Sequence, residues 1–208
     1  MPRRKTRKKT GKGPNGQIGW GGMGARPWGR ANLVLGMIAA LALVAGGLYW
    51  WRGDQANSEF GALAMQGRAA LSQVRTPPAR GGGHLAPGQS HDYNERFPTS
   101  GIHHPVPVGP GFYRNFLPPT RLVHSLEHGH IVIYYESPGA EAIQRLKDWT
   151  SLHDGHWDGV IAVPAAGLGK AVVLTAWLKI FRLDEFDPAA AAAFIDRYRG
   201  RGPENPVR

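Results

Sequence analysis

One uncharged run of 21 residues, Ala31–Trp51, constrains this chain more than any other feature, and Arg30 and Arg52 bound it. About 20 apolar residues in an α-helix are long enough to cross a hydrocarbon core of about 30 Å. The run ends in Tyr-Trp-Trp at 49–51. Such amphipathic rings favour the headgroup level of a bilayer. We therefore predict a single transmembrane helix over residues 31–51.

The distribution of charge predicts the orientation of this helix. Residues 1–30 hold nine of the 25 Lys and Arg residues and no acidic residue, which leaves 16 basic and 15 acidic side chains elsewhere. Basic flanks stay on the cytoplasmic side, so we expect a disordered basic tail at 1–30 in the cytoplasm. In a diderm bacterium, the C-terminal part would then be periplasmic and anchored in the inner membrane. Because the excess charge belongs to the tail, we do not expect the domain to bind nucleic acid.

Two alternatives to a membrane anchor exist for the apolar run, a buried core helix and a cleaved signal peptide. A buried core helix is usually shorter and rarely flanked by charges in this way. A cleaved signal peptide has an apolar region of about 7–15 residues followed by small residues. The run here is longer and ends in aromatic residues, which favours a retained anchor.

The remaining chain is predicted to form a stalk and linker at 52–80 and an outer α+β domain at 82–205. Apolar spacing over 57–74 indicates a marginal helix, and Thr76–Gly83 has the composition of a linker. Residues 84–120 are rich in Pro and Gly and are predicted to be a long loop. The following pattern predicts a small mixed sheet with two packed helices. The predicted strands are 130–135, 159–163 and 170–177, and the predicted helices are 139–150 and 187–198, with Asp187 as N-cap and Pro188 in the first turn.

Histidine is the candidate site residue, because all nine histidines follow the apolar run and there is no cysteine. The absence of cysteine excludes disulfides, thiolate metal sites and cysteine nucleophiles. The densest segment is His124-Ser-Leu-Glu-His128-Gly-His130. On a helical turn, His124 and His128 share one face, and imidazole is the commonest metal ligand at neutral pH. Structural hydrogen bonding and metal-free acid–base catalysis are the alternatives, and His153 and His156 are expected on a surface loop.

The same segment fits the H-x-x-E-H pattern of inverted zinc peptidases, in which the Glu acts as base. Those enzymes place the pattern on a longer helix, whereas Gly129 ends the helix at once here. The five-residue pattern also resembles the metal site of S-ribosylhomocysteine lyase, which nothing else in the chain supports.

Several motifs in order resemble the domain of unknown function family 3105. They are Phe97-Pro-Thr-Ser-Gly-Ile-His-His-Pro105, Gly-Phe-Tyr113, Val123–Tyr135, Leu174-Thr-Ala-Trp177 and Phe194–Glu204. The resemblance covers residues 82–205 and implies a bacterial or archaeal protein, often with one N-terminal membrane helix, and no established activity. The residues that match the family motifs are His84, Ser100, Gly101, His103, His124, Glu127, His128 and Gly129. Phe97 departs from the usual Pro.

These observations lead to a membrane-anchored protein whose periplasmic domain binds a transition metal. The predicted ligands are His103, His124 and His128, with His84 as a possible fourth. Glu127 is expected to support a ligand or to act as a base, and an all-nitrogen histidine set favours Cu or Zn. One alternative is a structural or assembly subunit of a membrane complex, docking partner proteins through the Pro-rich loop. The other is a metal-dependent hydrolase with Glu127 as the catalytic base.

Overall fold

A computed structural model describes residues 29–208 of the chain. The predicted disordered tail, residues 1–30, therefore lies outside the described residues except for Gly29 and Arg30. The elements in chain order are helix α1 (Arg30–Gln66), a 3₁₀ helix (Gly67–Gln73), strand β1 (Gly111–Phe112), helix α2 (Pro119–Glu127), strand β2 (Ile131–Tyr135), helix α3 (Ala140–Leu152), strand β3 (Val160–Pro164), strand β4 (Val172–Ala176), strand β5 (Lys179–Leu183) and helix α4 (Pro188–Tyr198).

The chain divides into two compact units, one ending at Gly46 and the other running from Gly47 to Arg208. Helix α1 contains the whole apolar run, and the side chains described between Asn32 and Trp51 are exposed. This helix is long and apolar enough to cross a membrane. A signal sequence near an N-terminus meets the same criteria of length and apolar composition.

The unit from Gly47 onward is built on one five-stranded mixed sheet with strand order β1-β3-β2-β4-β5. Strands β1, β3 and β2 are parallel, whereas β4 is antiparallel to both β2 and β5. Helix α3 provides the connection that two parallel neighbours such as β2 and β3 require. The predicted α+β fold is confirmed.

Both faces of the central strand β2 are buried, because each face packs against its own apolar layer. Ile131, Ile133 and Tyr135 point into a layer completed by α3, α4 and the end of α1. Val132 and Tyr134 point into a second layer, which α2 completes with Leu122 and Leu126. This second layer fixes α2 against the sheet, and the candidate site lies at the C-terminal end of α2.

The predicted strands and helices are present, with boundaries within three residues of those expected. Asp187 caps α4 as predicted, since its side chain accepts hydrogen bonds from the backbone N–H groups of Ala189 and Ala190. Strands β1 and β5 and the full extent of α2 were not predicted from the sequence. Strand β5 follows β4 through the two-residue turn Trp177–Leu178, in which Leu178 has a φ of +57°. Gly and Asn are the usual residues in such turns, so no turn signal marked this hairpin.

The segment predicted as a marginal helix at 57–74 is helical throughout most of its length and contributes to the core. Phe60 and Ala64 are buried in the layer formed with α3 and α4. Gly67 lies so close to α4 that a Cβ there would stand 1.9 Å from the carbonyl oxygen of Ala189. The residues preceding the predicted domain boundary thus pack as part of the folded unit.

His153 lies in this apolar layer, and its expected place on a surface loop is wrong. Its ring meets the ring of Phe60 edge-on, with centroids 4.5 Å apart, and only 6% of the residue is exposed. Burial lowers the pKa of His153 to about 4, and the nearby Arg199 lowers it further while Asp158 opposes the shift. His156, by contrast, is exposed.

We expect the buried His153 to make the folded unit sensitive to acid. Between pH 6.5 and 4 the unfolded chain binds a proton at His153 that the folded chain does not, so stability falls as the pH falls. The loss between pH 7 and 4.5 is about 2–3 kcal/mol. His153→Leu should reduce the pH dependence of the free energy of unfolding by this amount, measured by denaturant titration of the metal-free chain. An unchanged pH dependence would show that the His153 ring does not carry this effect.

Candidate metal centre

The last turn of α2 positions His124, Glu127 and His128. The helix ends in a Schellman motif, in which Gly129 N–H donates to the Leu126 carbonyl and His130 N–H to the Ser125 carbonyl. Gly129 adopts a φ of +95°, which glycine tolerates best. The turn directs the chain into β2 while leaving the three side chains at the end of the helix.

A second segment, predicted as a linker, places His84 beside His103. Gly101 N–H donates to the Gly81 carbonyl, His103 N–H to the Gly83 carbonyl, and Leu85 N–H to the His103 carbonyl. These bonds form a short parallel bridge between His84 and His103. The end of the predicted linker is therefore paired backbone, and it positions the next residue, His84, at the site.

Four side chains converge between these segments, and we call them the loop-side group: His84, His103, His124 and Glu127. Each offers one ligand atom, and the four atoms lie within 4.8 Å of one another. The ring of His84 lies 5.2 Å from that of His103 and 4.8 Å from that of His124, between centroids. His103 is fully buried, whereas His84 is exposed.

Backbone carbonyls fix the tautomers of two of these histidines. Nδ1 of His103 lies 2.8 Å from the Gly101 carbonyl oxygen, and Nδ1 of His124 lies 2.7 Å from that of His104. A carbonyl only accepts, so each Nδ1 must carry the proton and each neutral ring presents its Nε2 lone pair. Such a second hydrogen bond orients most histidines that ligate metals in proteins.

The contact between His103 and Glu127 is not satisfied by a neutral imidazole and a carboxylate alone. Nε2 of His103 lies 3.0 Å from Oε2 of Glu127, yet this buried nitrogen has no properly directed hydrogen-bond partner among the described residues. With Nδ1 protonated, a neutral His103 would turn a lone pair towards a carboxylate. A proton held between the two groups or a metal ion between the two atoms resolves this conflict.

His124 is held in its neutral, ligating form. Burial lowers its pKa to about 4, the hydrogen bond to the His104 carbonyl opposes this shift, and the neighbouring imidazoles of His103, His128 and His84 lower it further. At neutral pH the His124 Nε2 therefore carries a lone pair.

A second set of three side chains adjoins the first, and we call it the tail-side group: His124, His128 and Glu204. Their ligand atoms also lie within 4.8 Å of one another. Oε2 of Glu204 is 2.9 Å from Nε2 of His128 and 3.8 Å from Nε2 of His124. His128 thus belongs to a different group from His84 and His103, and His124 belongs to both.

The C-terminal tail supplies Glu204, which the sequence analysis did not identify. Gly200 N–H donates to the Gly129 carbonyl, and Glu204 N–H lies 3.4 Å from the Glu127 carbonyl oxygen. The tail packs closely against the end of α2 at Gly202. A Cβ at this position would stand 2.1 Å from the same Glu127 carbonyl oxygen, so only glycine fits. Glu204 is the last residue of the motif Phe194–Glu204 that resembles the family, but only the tertiary contact shows that its carboxylate reaches the histidines.

The remaining histidines lie outside both groups. Nε2 of His130 lies 2.7 Å from the His156 carbonyl oxygen. His91 packs against Tyr93, and Nδ1 of His104 accepts a hydrogen bond from the Val106 N–H. Trp157 covers the ring of His128, with centroids 4.2 Å apart. The predicted ligands are therefore brought together in two overlapping sets rather than one.

No curated protein and no solved structure is significantly similar to this chain. The model of one protein family does match, over residues 84–208, and that range includes every residue of both groups. The chain accordingly belongs to the family described as protein of unknown function DUF3105.

Proposed function

We propose that this protein is a membrane-anchored metal-binding protein whose loop-side group holds one Cu or Zn ion. The single observation that carries the proposal is the His103–Glu127 contact, in which a lone pair and a carboxylate oxygen face each other at 3.0 Å in a buried site. A divalent ion between these atoms would turn a destabilising contact into two coordinate bonds.

The donor set supports Cu or Zn over other metals. Three imidazole nitrogens and one carboxylate oxygen suit either ion, whereas Mg and Ca prefer all-oxygen sites. One carboxylate neutralises half the charge of a divalent ion, and the fixed Nδ1 hydrogen bonds of His103 and His124 orient two ligands before the ion arrives. His84, on the exposed side, leaves the ion a path from solvent.

The proposed location is the periplasmic side of the inner membrane, with the N-terminus in the cytoplasm. Exposed apolar side chains along α1, ending in Tyr49, Trp50 and Trp51, support an anchor, because lipid would cover them. The nine basic residues before the helix support the orientation.

Reconstitution of the full-length chain in detergent micelles tests the proposal. After chelation and gel filtration, addition of Zn(II) or Cu(II) should give one retained ion per chain by mass spectrometry. At an excess of 100 times Kd the ion should stabilise the fold by about 2.7 kcal/mol, visible as a higher Tm. His91→Gln, an exposed histidine outside both groups, serves as control. No stoichiometric ion and no change in Tm would overturn the proposal.

Glu127→Gln separates a ligand role from a catalytic-base role. If Glu127 coordinates the ion, the isosteric amide loses the negative charge and should weaken binding by roughly 10–100-fold. A hydrolase in which Glu127 acts only as a base would keep its metal content with this substitution. Glu141→Gln is the matched control, because its carboxylate is exposed on α3. Competition with a chromophoric chelator measures both affinities.

A further inference from the structure

We infer that one metal ion can occupy either of two positions that share His124, the loop-side group and the tail-side group. This inference rests on the proposed function, since both positions would hold the same transition metal. It adds a second binding position, to which the C-terminal tail contributes the carboxylate of Glu204.

The chemistry of His124 makes the two positions mutually exclusive. Its Nδ1 donates to the His104 carbonyl, so Nε2 is the one ring atom with a free lone pair. An imidazole that bridges two metals must use both nitrogens. His124 belongs to both groups, and with Nδ1 engaged it can bind a metal through Nε2 alone, so it can bind one ion at a time.

Each position has its own histidine and its own carboxylate in close contact. On the loop side, Nε2 of His103 lies 3.0 Å from Oε2 of Glu127. On the tail side, Nε2 of His128 lies 2.9 Å from Oε2 of Glu204. His128 is nine-tenths buried, so its pairing with a carboxylate brought by the tail is a built contact rather than a chance surface pair. Either pair, together with His124, supplies at least three ligands and one negative charge.

The two positions should differ in affinity. The loop-side group offers four ligand atoms, and the tail-side group offers three. Glu204 also lies on an irregular tail with 42% of its side chain exposed, whereas Glu127 belongs to α2. We therefore expect the ion to favour the loop-side group. Passage to the tail side would be a ligand exchange in which His124 stays bound: bonds to His84, His103 and Glu127 would break, bonds to His128 and Glu204 would form, and a solvent molecule would take the fourth position, with no change in oxidation state.

Copper binding to four forms of the full-length chain in detergent tests this inference. Cu(II) is the probe, chelator competition gives the affinity, and electron paramagnetic resonance reports the number of coordinated nitrogens. The wild-type chain should bind one ion tightly. Glu204→Gln alone should change its affinity less than about threefold, because the loop-side group is intact. His103→Gln should still bind one ion, about 10–100-fold more weakly and with an altered spectrum.

The decisive form is the double variant His103→Gln with Glu204→Gln. It should bind at least about tenfold more weakly than His103→Gln alone, because its tail-side position has lost its carboxylate. The same comparison can be made with His84→Gln, alone and combined with Glu204→Gln. His84 is exposed, so this substitution leaves the core unchanged. Equal affinities of the single and double variants would overturn the inference, as would two tightly bound ions in the wild type. The inference would also be overturned if Glu204→Gln weakened metal binding by the same factor in the wild-type chain and in His103→Gln. All the ligands would then form one site. A wild-type chain that binds no ion would instead overturn the proposed function.

Discussion

His124→Gln should abolish tight metal binding, with an affinity loss of at least about 100-fold. Both groups contain His124, whose free lone pair is on Nε2, so this one substitution weakens both positions: it leaves three ligand residues on the loop side and two on the tail side. The glutamine amide can still donate to the His104 carbonyl, which accepts from His124 Nδ1 at 2.7 Å, and the fold should be retained. Chelator competition on the full-length chain measures the loss, and the Tm of the metal-free chain checks the fold.

His103→Gln provides the comparison for this prediction. It removes a ligand from the loop-side group alone, so its effect should be smaller than that of His124→Gln. If the two substitutions weakened binding equally, the claim that His124 is a ligand in both groups would be contradicted. If His124→Gln retained wild-type affinity, neither group as described would hold the ion.

Gly202→Ala should displace the C-terminal tail and destabilise the folded unit by about 2–3 kcal/mol. An added Cβ would stand 2.1 Å from the Glu127 carbonyl oxygen and 2.2 Å from the Gly129 nitrogen, both of which are backbone atoms that cannot move aside. The C-terminal tail must therefore move away from the end of α2, and Glu204 must move with it. Denaturant unfolding measures the loss of stability. Limited proteolysis should show faster cleavage within the tail that follows Tyr198.

Gly109→Ala is the matched control for Gly202→Ala. It is the same chemical change, and a Cβ at Gly109 would meet nothing within 4 Å. Its stability should stay within about 0.5 kcal/mol of wild type. The loop-side group does not include the tail, so Gly202→Ala should still bind one ion. Wild-type stability and protease resistance in Gly202→Ala would contradict the close seating of the tail.

The local patterns of the sequence predicted the parts of the fold that short-range chemistry determines. Strand β2 is an uninterrupted apolar run, and α4 begins with a cap and a proline, so both were identified. Strand β5 was missed because its turn uses Leu178 at a positive φ rather than a glycine. The packing of Phe60 depends on distant residues such as Trp149, 89 positions further along the chain, which no local pattern reports.

The candidate centre likewise has features that local sequence predicts and features that depend on long-range contacts. The spacing of His124 and His128 on one helical turn and the recurrence of His103 predicted a histidine cluster, and the structure brings His103 and His124 together with ring centroids 4.9 Å apart. The division of the cluster into two groups was not predictable, because it depends on the Gly81–His84 pairing and on the position of the tail. Glu204 was missed for the same reason.

X-ray absorption spectroscopy of the full-length chain loaded with one Zn(II) ion tests the central claim most directly. The loop-side group predicts a four-coordinate ion with nitrogen or oxygen ligands at about 2.0–2.1 Å and with the multiple scattering of three imidazoles. Glu127→Gln and His103→Gln should each alter this shell, and Glu141→Gln should not. A six-coordinate shell of oxygen atoms without imidazole scattering would contradict the claim that these histidines form a metal centre.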